Sequence, residues 1–155
     1  MAAQGARLVE RASQWPRCAA SAVIFRGGEV LLIKRGKPGP IQGFWSLPGG
    51  HIEPGEPARA AALREVHEEA AVVAELNGLL DLHEVFRRDR PGELTSHYLI
   101  TVFYGRWVSG EPTPGDDAAA ARFVSRDAVA ELQTTDGTPD FIRRAWSLLQ
   151  EQAAR

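Results

Sequence analysis

Apolar and polar residues follow one another along this chain with a period that changes several times. AASAVIF (19–25) and EVLLIKR (29–35) are short apolar runs separated by an arginine and two glycines. Two such runs joined by a glycine turn predict a β-hairpin. After a Pro/Gly loop at 37–43, FWSLPGG (44–50) predicts a further short strand that ends at a proline and two glycines. The first third of the chain is therefore predicted to form sheet.

Helical patterns appear in the rest of the chain, with extended segments between them. An alanine-rich segment predicts a helix from Pro57 to about Ala70, and an apolar stripe predicts a last helix from Thr138 to about Gln152. The other predicted segments are a strand at 72–86 with a break near Asn77-Gly78, a charged turn at 87–95, a strand at 96–108, an acidic loop at 109–118, a strand at 121–125 and a short helix at 126–132. This order predicts an α/β fold with a mixed sheet between helices.

Composition limits the class of protein. A chain of 155 residues is most simply one domain, and we assign residues 1–16 to an N-terminal arm and 17–155 to the domain itself. A net charge of −2 argues against duplex nucleic acid as a partner. No apolar run approaches the roughly 20 residues of a membrane span. The single cysteine, Cys18, excludes an internal disulfide and favours a cytoplasmic protein.

Three carboxylates are predicted to share one face of the first helix. Glu65, Glu68 and Glu69 are three and four residues apart, and of these only Glu68 has a basic residue, Arg64, one turn away. A solvated surface would pair each carboxylate, whereas here each like-charge pair costs about 0.2–0.5 kcal/mol. A divalent cation would offset this repulsion. Small residues on the same face are expected to leave room for a ligand: Ala58, Ala61 and Ala62.

The spacing of these residues resembles the Nudix box, G-x5-E-x7-R-E-U-x-E-E-x-G-U, in which U is aliphatic. Here the motif begins at Gly50 and Glu56 and ends at Val72, and every charged position matches. The one departure is Ala71, where the pattern has glycine. Glycine there would ease a left-handed turn at the end of the helix, and alanine costs about 1 kcal/mol in that conformation.

The resemblance implies the Nudix α/β/α sandwich and hydrolysis of a nucleoside diphosphate linked to another group. By similarity, Glu65, Glu68 and Glu69 would hold Mg²⁺, with Mn²⁺ as an alternative, and the carbonyl of Gly49 would be a further ligand. Glu65 is also a candidate base, and Arg64 would orient the carboxylates. Glu56, just before Pro57, is expected to cap the helix.

Other candidate residues lie outside the box. Some family members take a further acid from a later loop, which suggests Asp116 and Asp117 here, with Glu111 nearby; a plain polar turn is the alternative. Trp45 could stack on a base, with Phe44 as its neighbour in the chain. The remaining candidate substrate-binding residues are Arg35, Arg88 and His97.

Three functions remain open on these grounds. The first is a Mg²⁺-dependent pyrophosphohydrolase acting on ADP-ribose or a related nucleoside diphosphate sugar, which the segments around the box resemble most. The second is a pyrophosphohydrolase that removes unwanted nucleoside triphosphates, and the third is a nucleotide-binding domain without turnover. Each implies a nucleotide as partner, and the sequence leaves a homodimer open.

Overall fold

The computed structural model describes residues 15–155, so the predicted N-terminal arm lies outside the described residues apart from Trp15 and Pro16. No helix in this part of the chain is long and apolar enough to cross a membrane. The elements in chain order are β1 Arg17–Arg26, β2 Glu29–Arg35, β3 Trp45–Ser46, β4 Gly49–His51, α1 Ala58–Ala70, β5 Val73–Arg90, β6 Glu93–Ser109, β7 Ala118–Ser125, a 3-10 helix Arg126–Glu131 and α2 Thr138–Ala153.

The strands form a mixed sheet. β1 pairs in parallel with β6, and in antiparallel fashion with β2 at one end and with β4 at the other. β2 also pairs with β3 and β7, and β5 pairs with β6 at the edge of the sheet. The predicted hairpin of β1 and β2 and the predicted mixed sheet are both confirmed.

Helices cover the two faces of this sheet. On one face Val23 and Phe25 of β1 pack in a core with Ile142 of α2, and on the other Ala22 and Ile24 pack in a core with Val66 of α1. Strands buried on both faces read as continuous apolar runs, which explains the sequence of β1 and β2. The predicted α/β/α arrangement is therefore confirmed.

Several element boundaries differ from the predictions. The predicted charged turn at 87–95 shrinks to Pro91-Gly92, because β5 and β6 continue pairing to Arg90 and Glu93. The break near Asn77-Gly78 is a shift of register inside a continuous β5. β7 begins at Ala118, three residues early, and the predicted strand 44–50 is two strands interrupted at Leu47–Pro48. The polar residues at these boundaries belong to strands because they pair with a neighbouring strand. Local β-propensity does not reflect such pairing.

Ala71 ends α1 in the left-handed conformation that the motif implied, with φ 56° and ψ 25°. Its amide donates to the carbonyl of His67 at 2.8 Å, and its side chain is exposed. We expect Ala71→Gly to raise the free energy of unfolding by about 1 kcal/mol, because glycine removes the Cβ clash of this conformation. Urea denaturation measures the change.

Ala154 provides a matched control for that substitution. It also follows the last residue of a helix and is also exposed, but its φ is −83°, in the right-handed region. Glycine at Ala154 should bring no gain, since only chain flexibility is added there. Equal effects at Ala71 and Ala154 would contradict the explanation by backbone conformation.

Candidate active site

Two of the three carboxylates on the acidic face of α1 are buried, and Glu68 is exposed. Glu65 and Glu69 are only 8% and 6% exposed. Ala61 and Ala62 are fully buried in the core with Val66, so they do not leave room for a ligand. Their small side chains instead let α1 pack closely against β1, and a carboxylate of the next turns, that of Glu69, reaches β4.

Arg64 uses all five of its N–H donors within the site. It donates to both oxygens of Glu56, at 2.7 and 2.9 Å, and to Glu65 and Glu68 at 3.0 and 3.1 Å. The fifth bond goes to the backbone carbonyl of His51 at 2.9 Å. Glu56 therefore binds Arg64 rather than capping α1, whose N-cap is Pro57 with no side-chain cap bond. Arg64 ties α1, the loop before it and β4 together.

The two glycines of β4 allow the backbone to pass close above the carboxylates. The amide of Gly49 donates to Glu69 at 2.7 Å. A Cβ on Gly50 would lie 2.5 Å from the carboxylate of Glu65, so a larger residue there would displace a carboxylate that Arg64 holds in place. The glycine at this position of the motif therefore leaves space for a glutamate of the helix.

The acidic loop after β6 is held against the C-terminal end of α1. The amides of Thr113 and Gly115 donate to the carbonyls of Ala70 and Glu69, at 2.9 and 3.1 Å. Such carbonyls have no partner within their own helix. This contact places Asp116, with φ 52°, beside the helix.

Asp116 completes a group of three carboxylates. Oxygens of Glu65, Glu68 and Asp116 lie within 4.8 Å of one another. Glu69 is directed at the Gly49 amide instead, but it lines the same cavity. Asp117 also lines the cavity and pairs with Lys37 at 3.3 Å. The structure thus brings the predicted helix carboxylates and both predicted loop acids to one place.

Burial dominates the electrostatics of these carboxylates. It raises the pKa of Glu69 to about 7, although the Gly49 amide and Arg35 oppose the shift. Burial also raises the pKa of Glu65, against the effect of Arg64. The hydrogen bonds from Arg64 hold the pKa of Glu56 down at about 2. A cation among these oxygens would favour their charged forms, and hard divalent ions prefer such ligands.

The carboxylates line one side of a cavity of about 380 Å³. Besides Arg64, two cationic side chains line it, Arg35, as predicted, and Lys37. Lys37, Glu53 and His51 were missed by the sequence reasoning. The only signal for His51 was its place next to the two glycines of the motif, and histidine spacing alone did not indicate it.

Three predicted substrate-binding residues lie elsewhere. Trp45 is 9% exposed in the core on the α2 side, with Arg122 stacked over its ring at 4.6 Å, so its position does not support base stacking. Arg88 is exposed near the tip of the β5–β6 hairpin, outside the cavity lining. His97 bonds Glu84 at 3.0 Å and is also outside that lining.

Comparisons with known proteins agree with this geometry. The family model of the NUDIX domain matches residues 15–145. An ADP-ribose pyrophosphatase of Methanocaldococcus jannaschii is 34% identical over 117 residues, which are 76% of this chain and 66%, just under two thirds, of the relative's length. A putative 8-oxo-dGTP diphosphatase 2 of Mycobacterium tuberculosis is 31% identical. That match covers 75% of this chain and 76% of the relative's length.

The fold has a similar counterpart among solved structures. The crystal structure of a MutT NUDIX hydrolase from Burkholderia pseudomallei has 31% sequence identity and a TM-score of 0.71, over 84% of this chain and 98% of that one. The match of the family model over most of the chain, and the glutamates of the box helix gathered in one cavity, lead to the same conclusion. This chain belongs to the NUDIX family, a family of hydrolases that act on phosphoanhydride bonds.

Proposed function

We propose that this protein is a Mg²⁺-dependent pyrophosphohydrolase that cleaves ADP-ribose or a closely related nucleoside diphosphate sugar. The observation that carries the proposal is the cavity, in which the carboxylates of Glu65, Glu68 and Asp116 are combined with the cationic Arg35 and Lys37. A diphosphate bound through divalent ions needs carboxylates for the ions and cations for its remaining charge. The relative from M. jannaschii, named ADP-ribose pyrophosphatase, supports the substrate class.

The chemistry of the donor set fits a divalent ion such as Mg²⁺. Glu65, Glu68 and Asp116 offer hard oxygen ligands, and Glu69 and the carbonyl of Gly49 are the further proposed ligands. Mg²⁺ would neutralise the diphosphate and stabilise the charge that develops on the leaving group. Mn²⁺ would serve the same purpose.

The side chains around this donor set have separate roles in the proposal. Arg64 fixes the orientation of Glu65 and Glu68 through its hydrogen bonds and touches no substrate. Asp116 accepts a hydrogen bond from the attacking water and takes its proton, with Glu65 as the alternative base. Arg35 and Lys37 bind the phosphate oxygens. Asp117 keeps Lys37 in place through their ion pair.

A hydrolysis screen tests the proposal. The purified protein with Mg²⁺ is offered ADP-ribose, other nucleoside diphosphate sugars, dinucleoside polyphosphates and nucleoside triphosphates, and the products are separated. AMP and ribose 5-phosphate from ADP-ribose would support the proposal. Hydrolysis of triphosphates alone, with release of pyrophosphate, would overturn the substrate class.

A triphosphate hydrolase is the second candidate. The relative from M. tuberculosis, named putative 8-oxo-dGTP diphosphatase 2, supports it at 31% identity. A binding domain without turnover is the third, and it is the least supported, because all the box carboxylates are present and the three of the helix meet in one cavity. Absence of turnover on every substrate would favour it.

Mg²⁺ should stabilise the folded protein, and the effect should depend on pH. An ion that binds only the folded state raises its stability by mass action, and about 1 kcal/mol raises the melting temperature by about 2–4 °C at this size. Because burial raises the pKa of Glu69 to about 7, a proton competes with the ion below that pH. The rise in melting temperature should therefore be larger at pH 8 than at pH 6.

Thermal unfolding in EDTA and in Mg²⁺, with NaCl at matched ionic strength as control, measures this difference. A melting temperature that does not respond to Mg²⁺ at either pH would argue against a metal site in the free protein.

Two further predictions from the sequence stay predictions. The first is the homodimer. Large apolar side chains are exposed along the edge strand β5, at Val73, Leu79, Leu82 and Phe86. An edge strand of this kind is where a second chain would pair. The second is the cytoplasmic location, which rests on the single cysteine.

A further inference from the structure

Beside the carboxylates lies a group of three aromatic rings that the proposed hydrolysis does not use. The imidazole of His51 stacks on the ring of Tyr98, with centroids 5.5 Å apart and planes at 25°. Nε2 of His51 is 3.3 Å from the hydroxyl of Tyr98. The indole of Trp15 contacts Tyr98 edge-on at 6.1 Å. His51 is exposed and lines the cavity, so the stack begins at the cavity and continues outward from it.

Strand register explains why these rings meet. His51 of β4 is paired with Ala19 of β1, and Tyr98 of β6 is paired with Arg17 of the same strand. Ala19 and Arg17 are two residues apart and so lie on the same face of β1. The two rings approach each other across that strand.

The same short strand connects the stack to the carboxylates. Gly49 binds Glu69 through its amide, and the carbonyl of His51 accepts a hydrogen bond from Arg64. The backbone of β4 thus contacts the acidic site at both ends, and its last residue carries the ring. The distance between the two is fixed by three residues of strand.

The arrangement of the imidazole suits stacking. One face of the ring is supported by Tyr98, and the residue is exposed at the cavity. A flat ring supported by further aromatic rings is a surface for another planar ring. Arg17 lies 5.2 Å from the centre of the Trp15 ring and adds positive charge at the outer end.

We propose that His51, backed by Tyr98 and Trp15, is the stacking surface for the nucleobase of the substrate. This proposal rests on the proposed function, in which the diphosphate lies at the carboxylates. It assigns the binding surface for the base, at the other end of the same substrate. Stacking on an aromatic side chain contributes roughly 5- to 150-fold in affinity for each base. The larger rings of purines should gain more than those of pyrimidines.

Equilibrium binding of two product-like ligands tests the stack without turnover. AMP carries the base and ribose 5-phosphate lacks it, while both keep a sugar phosphate. By calorimetry in the presence of Mg²⁺, His51→Ala should weaken AMP about tenfold and leave ribose 5-phosphate within about twofold of the unaltered protein. His51→Phe keeps an uncharged flat ring and should retain most of the AMP affinity. Tyr98→Leu, which removes the backing ring, is a second variant expected to weaken AMP alone.

Steady-state kinetics with ADP-ribose give the second readout. His51→Ala should raise KM about tenfold with kcat nearly unchanged, because the base is remote from the reacting phosphorus. His97→Ala tests the rival prediction from the sequence: His97 stacks on Phe86 at 4.3 Å and a similar angle, but outside the cavity. A KM effect at His97 and none at His51 would overturn the proposal.

The results separate this inference from the proposed function. The stacking proposal would be overturned if His51→Ala left the affinity for AMP unchanged, or if it weakened AMP and ribose 5-phosphate equally. Either result would leave hydrolysis of ADP-ribose untouched. AMP affinity that depends on His51, in a protein that hydrolyses no diphosphate, would support the stack and remove the proposed reaction.

Discussion

Replacement of Glu69 by glutamine is expected to lower kcat on the best substrate at least about 100-fold, with the fold intact. The amide keeps the size of the side chain and an oxygen for the Gly49 amide, but it loses the charge that would face a metal ion. Steady-state kinetics with Mg²⁺ in excess measure the loss. Glu131→Gln, the same change at an exposed residue after β7, is the matched control and should leave kcat unaltered.

The metal-free Glu69→Gln protein should also show a change in stability that has a defined sign. The raised pKa of Glu69 means that its contribution to stability is fully present below about pH 4.5 and is lost as pH rises through about 7. Glutamine carries no such charge, so the variant should gain stability over the unaltered protein at pH 8 and less at pH 5. Near-normal kcat in both Glu69→Gln and Glu65→Gln would show that the metal site has been assigned to the wrong residues.

Asp116→Asn is expected to reduce kcat by about 10²–10⁴ while KM changes little, which is the range of a general base. Asparagine is the informative substitution, because Asp116 has φ 52° and asparagine tolerates this conformation. Alanine would add about 1 kcal/mol of backbone strain and so confuse a catalytic effect with a structural one. Melting temperatures of the variant and the unaltered protein check that the loop is intact.

Asp117→Asn separates the two neighbouring acids. Asp117 pairs with Lys37 at the surface of the cavity and is not part of the group of three carboxylates. Loss of its charge should mainly raise KM, because Lys37 would lose the ion pair that keeps it in place. If Asp116→Asn kept kcat within about threefold, the base would have to be sought at Glu65.

The sequence predicted the elements of the site better than their environment. The spacing from Gly50 to Val72 was sufficient to predict the helix and its charged residues, and it identified Ala71 as the one departure from the motif, but the left-handed conformation of that alanine came from the structure. It could not predict which carboxylates are buried. The side of α1 that faces the sheet is set by its packing on β1, where Ala61 and Ala62 lie against the sheet. The periodicity of the helix sequence alone does not reveal that contact.

Residues distant in sequence were harder to place. Asp116 joins the helix carboxylates because backbone bonds hold its loop to the end of α1, and the family resemblance could name it only as a candidate. Trp45 and His51 illustrate the same limit. Both lie near the motif, but β3 places Trp45 in the core while β4 places His51 in the cavity. Which face a two- or three-residue strand presents depends on its partners in the sheet.

The bonds from Thr113 and Gly115 to the last carbonyls of α1 also bear on motion in the free protein. If the loop opened, two helix carbonyls would lose their partners and Asp116 would leave the other carboxylates in the same event. Loop and helix end therefore form one cooperative unit of local unfolding, with a shared opening free energy. Amide hydrogen exchange at Thr113 and Gly115 reports the population of molecules in which the group of three carboxylates is separated, at residues outside the cavity lining.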